Sequence, residues 1–151
     1  MPSAPRAGPE TAVRIVLDTN VVLSALLWRG IPYRLLEAAR QREKVELYTS
    51  AVLLEELAKV LLRPVAAKRL ALIDRTARQV LADYVETVDL VMPVAVPPVV
   101  AADSDDDHVV AAAIAAKADM IVSGDRPLLA LGTHQGIQIL SPAGALGLIA
   151  R

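Results

Sequence analysis

Arg14-Ile15-Val16-Leu17-Asp18 and Met120-Ile121-Val122-Ser123-Gly124-Asp125 are two short aliphatic runs that each stop at an aspartate. Such a run reads as a strand buried on both faces, as in a parallel sheet. Open α/β folds bind ligands outside the carboxyl ends of their strands. An acid at that end of two strands, with further acids between them in the chain, points to a site built from carboxylates.

Working outward, Val13 to Leu17 is the first strand, and Val21 to Trp28 fits a helix ending near Gly30. Pro32 suits the first turn of a second helix running to about Arg42. Val45 to Thr49 reads as a strand, and Ser50 caps a helix that carries Leu53, Leu57, Leu61, Glu55 and Glu56 and ends at Arg63-Pro64. Ile73-Asp74 opens another candidate helix with Val80, Leu81, Tyr84, Val85 and Val88 at helical spacing. Leu90 to Val94 is a candidate third strand before a proline-stiffened loop.

Beyond that loop an alanine-rich helix is expected from about Asp106 to Lys117, then a strand from Ala118 to Val122. A short helix from Arg126 to Leu131 and a last strand from Ile137 to Leu140 follow, and Ser141-Pro142 resembles the cap and first turn of a terminal helix. Strands alternating with helices imply a three-layer α/β/α domain with a central, mostly parallel sheet. It is expected to span residues 13–151 as a single domain behind a flexible, proline-bearing tail of residues 1–12.

A chain of 151 residues, 54% hydrophobic and 22% charged, buries a real core and is not disordered. Aromatics are only 3% and Phe is absent, so Ala, Val and Leu fill the interior and few rings are left to stack bases. With no cysteine, disulfides, thiolate catalysis and cysteine-held zinc are excluded. The N-terminal residues lack an apolar signal core, and no apolar stretch is both long and uninterrupted enough for a bilayer, so a cytoplasmic protein is expected. The net charge of −1 does not advertise a polyanion partner, but the charges are segregated. Arg29, Arg34, Arg40, Arg42 and Lys44 form one basic segment, and Arg63, Lys68, Arg69, Arg75 and Arg78 another. Solvated helix faces account for most of these.

Asp18 and Asp125 fall at strand ends, Asp106 or Asp107 at a helix start, and Glu56 on the helix after the second strand. All can converge where strand ends meet the following helices. Carboxylates ~5 Å apart in an effective dielectric of ~20 repel by about 3 kcal/mol per pair. A helix N-terminus offsets on the order of 1 kcal/mol. The remainder is relieved by raised pKa values or by a divalent cation. Hard oxygen ligands favour Mg²⁺ or Mn²⁺, which acidifies and orients a bound water and neutralises a phosphodiester. Neither His108, following the acids, nor His134, in a loop, is then required.

Each acid also has a structural explanation. Asp103, Ser104 and Asp105 can cap a helix, Glu55 and Glu56 can be surface acids, and Asp18-Thr19-Asn20 can be a strand-to-helix cap. Gly124-Asp125 can be a plain turn, and Asp119 reads as a strand-edge or turn residue. What these explanations leave unaddressed is the joint occurrence of acids at successive strand ends.

The same residues resemble the PIN-domain family of metal-dependent ribonucleases, in the branch that supplies toxins of type II, VapBC-like toxin–antitoxin modules. The resemblance runs from about Arg14 to Leu140 through ordered blocks. These are Val16-Leu17-Asp18-Thr19-Asn20, then Ser50-Ala51-Val52-Leu53-Leu54-Glu55-Glu56-Leu57, then Asp103-Ser104-Asp105-Asp106-Asp107 leading to Ile121-Val122-Ser123-Gly124-Asp125. It implies catalytic, metal-holding acids at Asp18, Glu56, Asp106 and Asp125, with Asp107 as a further ligand and Asn20 and Ser123 in support. Asp105, Asp106 and Asp107 leave the third acid open by one position, and Ser104 stands where the family's Asp-Pro-Asp-Asp form has proline.

The resemblance further implies RNA as substrate, Mg²⁺ or Mn²⁺ as cofactor, a homodimer, and a small antitoxin lying over the active site. Arg29 and Arg126 are candidates to guide the RNA, and Leu26, Leu27 and Trp28 to form a dimer or antitoxin surface or simply core. The alternative is a catalytically weak PIN-like protein that binds RNA or a partner. An aspartyl-phosphate phosphatase would need an acid where Asn20 stands, and no glycine-rich phosphate loop is present.

Overall fold

The computed structural model describes residues 12–41, 45–94 and 104–149, with residues 104–106 described by backbone alone. Most of the expected tail and the proline-stiffened loop after Val94 lie outside the described residues. In chain order the elements are β1 (Val13–Leu17), α1 (Thr19–Leu27), α2 (Ile31–Arg40), β2 (Val45–Thr49), α3 (Ala51–Val60), α4 (Pro64–Leu72), α5 (Ala77–Thr87) and β3 (Val88–Leu90). There follow α6 (Ser104–Ala116), β4 (Met120–Val122), α7 (Arg126–Leu131), β5 (Thr133–His134), β6 (Ile137–Leu140) and α8 (Pro142–Ile149).

The strands form one sheet in the order β3-β2-β1-β4-β6-β5, parallel except for the β5–β6 hairpin. Alternation along each strand divides the core into two layers. Ile15 and Leu17 of β1, with Met120 and Val122 of β4, face a cluster that includes Leu27, Leu35, Leu36, Leu57, Val80 and Ala145 of the helices. Val16 and Ile121 point the other way, into Val109, Val110, Ala112 and Ala113 of α6 and Leu128 of α7. The small side chains of α6 let it lie close on the sheet. The architecture is the expected three-layer α/β/α with a mostly parallel centre.

Four local departures from the sequence reading have physical causes. Pro64 does not merely end α3; it opens α4, because a proline at the first helical position gives up an N–H that would be unpaired anyway. The helix expected to start at Ile73-Asp74 starts at Ala77, where Thr76 and Gln79 form a reciprocal capping box, while Asp74 adopts a left-handed φ of 56° behind α4. The third strand is Val88–Leu90, not Leu90–Val94. Its ladder continues through Val91 N–H donating to the Thr49 carbonyl (2.8 Å) and cannot pass Pro93, which has no N–H. The loop around His134 is a hairpin: Gln135 and Gly136 take φ of 51° and 81°, and positive φ at both central residues is what a two-residue primed turn requires.

Leu27 is buried in the core and Leu26 is half-buried against it, whereas Trp28 is exposed. Among the described residues no helix is long and apolar enough to cross a membrane.

Candidate active site at the carboxyl edge of the sheet

From β1 the chain steps outward to β2 and β3, then returns to the other side of β1 as β4. The order of connection therefore reverses between β1 and β4, and a crevice outside their carboxyl ends is where such folds bind ligands. The β1–β4 register, Leu17 opposite Val122, brings Asp18 beside Ser123. Asp18 N–H donates to the Val122 carbonyl at 2.9 Å, and Ser123 N–H to the Leu140 carbonyl at 2.9 Å, so both residues are held by the ladder.

Asp18 occupies the N-cap position of α1, yet its side chain makes no capping bond. Its Oδ2 accepts the Ser123 hydroxyl at 2.7 Å, and the residue is 9% exposed. A simple strand-to-helix cap would have turned the carboxylate onto the α1 amides. The fully buried Ser123 also accepts the Asp125 N–H through Oγ at 2.9 Å, tying the two strand-end aspartates through one hydroxyl. Asp125 does cap α7: its Oδ2 accepts the Leu128 N–H at 3.3 Å.

Glu56 reaches the same edge from α3. Ser50 caps that helix by accepting the Leu53 N–H, which sets its entry off β2. The Thr19 hydroxyl, next to Asp18, donates to Glu56 Oε1. Thr19 is buried and was not singled out in the sequence; the clue was its place inside Asp18-Thr19-Asn20, one residue from the first acid. Asp125, Ser123, Asp18, Thr19 and Glu56 thus form a continuous chain across β1, β4 and α3, linked by hydrogen bonds and by the Asp18–Thr19 peptide.

The other sequence candidates are distributed unevenly. Asp107 is buried on α6 at 8% exposure, while Asp105 and Asp106 have only their backbone described, in the first turn of that helix. Asn20 is exposed on α1, and Arg126 is exposed immediately after Asp125. Arg29 lies past the far end of α1, its guanidinium over the Tyr33 ring at 4.4 Å and donating to the Tyr33 hydroxyl at 2.8 Å. It does not join the chain of acids. Glu55 is exposed, as a surface acid would be. Among the described residues no three Asp, Glu or His side chains are gathered closely enough to hold one ion.

Below this edge, Tyr84 of α5 is fully buried and hydrogen-bonded to Thr49 at the end of β2. Burial holds its hydroxyl well above the ordinary tyrosine range, with the Thr49 bond opposing in part.

The family model of the PIN domain matches residues 14–127, the span that carries every acid described above. The chain belongs to the PIN-domain family. That domain is a nuclease-type fold, and its members generally hydrolyse phosphodiester bonds and typically use divalent metals. No curated protein gives a match to the chain.

Proposed function

We propose that this PIN-domain protein is an Mg²⁺- or Mn²⁺-dependent endoribonuclease, the toxin of a toxin–antitoxin pair, working at Asp18, Glu56, Asp106 and Asp125. One observation carries the reading: Asp18 sits at a helix N-cap but forgoes the cap for Ser123, which holds Asp125 as well. A residue whose role was only to start α1 would not need that bond.

The donor set fits a hard cation, being all oxygen, and Asp107 on α6 adds a further buried carboxylate. Bound there, the ion would supply a more acidic water and charge neutralisation at the phosphodiester. The chain's own residues do the rest. Ser123 fixes the Asp18 carboxylate, Thr19 holds Glu56, and the Leu128 N–H fixes the Asp125 carboxylate. Arg126, exposed beside Asp125, offers a guanidinium to the RNA backbone. Exposed Trp28 offers an aromatic anchor to a second copy or an antitoxin.

A second reading is favoured by a specific observation, the absence of a three-residue metal cluster among the described side chains. It is a PIN-domain protein that binds RNA or a partner without cutting. The two separate in one experiment. The unsubstituted protein should cleave single-stranded RNA with Mg²⁺ or Mn²⁺, and Asp18→Asn and Asp125→Asn should each abolish cleavage with the fold intact. Unchanged cleavage in both variants sinks the site assignment. No cleavage by the unsubstituted protein over a broad RNA panel selects the binding reading. A small antitoxin reading frame beside this gene would support the toxin role.

A further inference from the structure

A groove of about 240 Å³ opens directly off the candidate acids, between α3 and α6. Glu55, Glu56 and Lys59 line it from α3, Arg63 from the turn between α3 and α4, and His108 from α6, with Leu53 also in the lining. It is open and smaller than the ~300–1,000 Å³ of an ordinary small-molecule pocket, so it suits a strand lying along it better than an enclosed ligand.

The charges in the groove are sorted along the chain, acids before bases. The two glutamates come first, Lys59 follows about 4.5 Å along the α3 axis from Glu56 at 1.5 Å per residue, and Arg63 stands past the end of that helix, at the N-cap of α4. Glu55 and Lys59 are four apart in the favourable order for a helical ion pair, yet they do not form one within 4.0 Å. Neither the Lys59 ammonium nor the Arg63 guanidinium has a side-chain partner among the described residues. The contrast with Arg14, Arg40 and Arg75, each near a carboxylate, is direct.

We propose that this groove carries the phosphodiester backbone of the RNA strand away from the acids, with Lys59, in the last turn of α3, and Arg63, at the N-cap of α4, as phosphate-binding residues. The inference rests on the nuclease reading above and extends it to the path of the substrate. Cations that face a groove with no side-chain partner among the described residues attract a polyanion and release its counterions, and phosphate contacts of this kind fix the register of a nucleic acid without reading its sequence. An acidic protein segment would meet the same two cations. The RNA strand is favoured because the groove begins at Glu56, which is hydrogen-bonded to the residue next to Asp18, so its occupant abuts the acids themselves.

The test measures binding of a labelled single-stranded RNA oligonucleotide to the full chain carrying Asp18→Asn, over a series of KCl concentrations. Adding Lys59→Gln and Arg63→Gln together should flatten the dependence of log K on log salt by about 1.4, the value for two phosphate contacts on a single strand. In the cleaving protein the same pair should raise KM for RNA and leave kcat nearly constant. Lys117→Gln, an exposed cation at the other end of α6, should leave the slope unchanged. A slope unaffected by the double substitution, or lowered equally by Lys117→Gln, overturns the groove while RNA cleavage by the unsubstituted protein keeps the nuclease reading. If a poly-glutamate peptide binds with the Lys59- and Arg63-dependent slope and RNA does not, the occupant is an acidic protein segment and the RNA assignment fails. No RNA binding together with no cleavage overturns both readings.

Discussion

The two ends of the same strands treat their carboxylates differently. At the amino edge, Asp119 Oδ2 accepts the Arg14 N–H at 2.8 Å, and Asp119 N–H returns a bond to the Arg14 carbonyl at 2.8 Å. Arg14 in turn lies 3.8 Å from Glu46 Oε1, donates to the Ala116 carbonyl at 3.0 Å and sits over the Tyr48 ring. There an arginine is interleaved among the acids, and the arrangement closes β1 onto β4 and β2. At the carboxyl edge, Asp18 and Glu56 are oriented by the hydroxyls of Ser123 and Thr19, and Asp125 by the Leu128 backbone N–H of α7. A guanidinium satisfies a carboxylate's charge; a hydroxyl aims it while leaving its negative charge in place. On the proposed reading, the first edge serves stability and the second an outside cation.

The largest expected effect comes from substituting one acid at each edge. Asp18→Asn should reduce RNA cleavage to background and barely shift the unfolding temperature, since an asparagine oxygen still accepts the Ser123 hydroxyl. Asp119→Ala should do the reverse, costing about 1 kcal/mol through the lost bond to Arg14 N–H with cleavage retained. Loss of cleavage in Asp119→Ala at full folding would erase the distinction between the edges.

A smaller effect is expected at the linking hydroxyl. Ser123→Ala leaves Asp18 and the Asp125 N–H without their shared partner, and cleavage should fall by about 10–100-fold, the range for groups that orient metal ligands. Threonine at this position should restore it, because the hydroxyl is what matters; an unaltered rate in the alanine variant would reduce Ser123 to packing.

The smallest concerns Tyr84 beneath the site. Its folded-state pKa is raised above the ordinary value of 10.0 by burial. The stabilisation from its neutral form is therefore complete below pH 10 and is lost as pH rises above it, because the unfolded chain ionises first. Unfolding midpoints should decline above that pH in the unsubstituted protein and less steeply in Tyr84→Phe. Equal slopes would remove Tyr84 as a source of the alkaline loss.

The sequence made β1 and β4 readable because strands buried on both faces become unbroken aliphatic runs, and the acid after each run marks the edge. Ser50 was readable as a cap for the same local reason. What escaped depended on ambiguity or distance. Val88 fits both the apolar stripe of α5 and the start of β3, and the backbone turns extended there. Gln135-Gly136 is a weaker turn signal than Asn-Gly, so the hairpin passed for a loop. Arg63-Pro64 reads equally as a stop and as a start. Thr19 escaped because its partner Glu56 is 37 positions away, and nothing local shows which way a hydroxyl turns. Asp125 satisfies two descriptions at once, since it caps α7 and also stands at the strand end.

The central claim is that the hydroxyl-held acids of the carboxyl edge bind a divalent cation. The most direct measurement is a Mn²⁺ titration followed by electron paramagnetic resonance in the absence of RNA. The unsubstituted protein and Asp119→Ala should bind Mn²⁺ saturably with equal affinity, and Asp18→Asn and Asp125→Asn should each lose that binding. Absence of saturable binding by the unsubstituted protein, or equal binding by all four proteins, would contradict it.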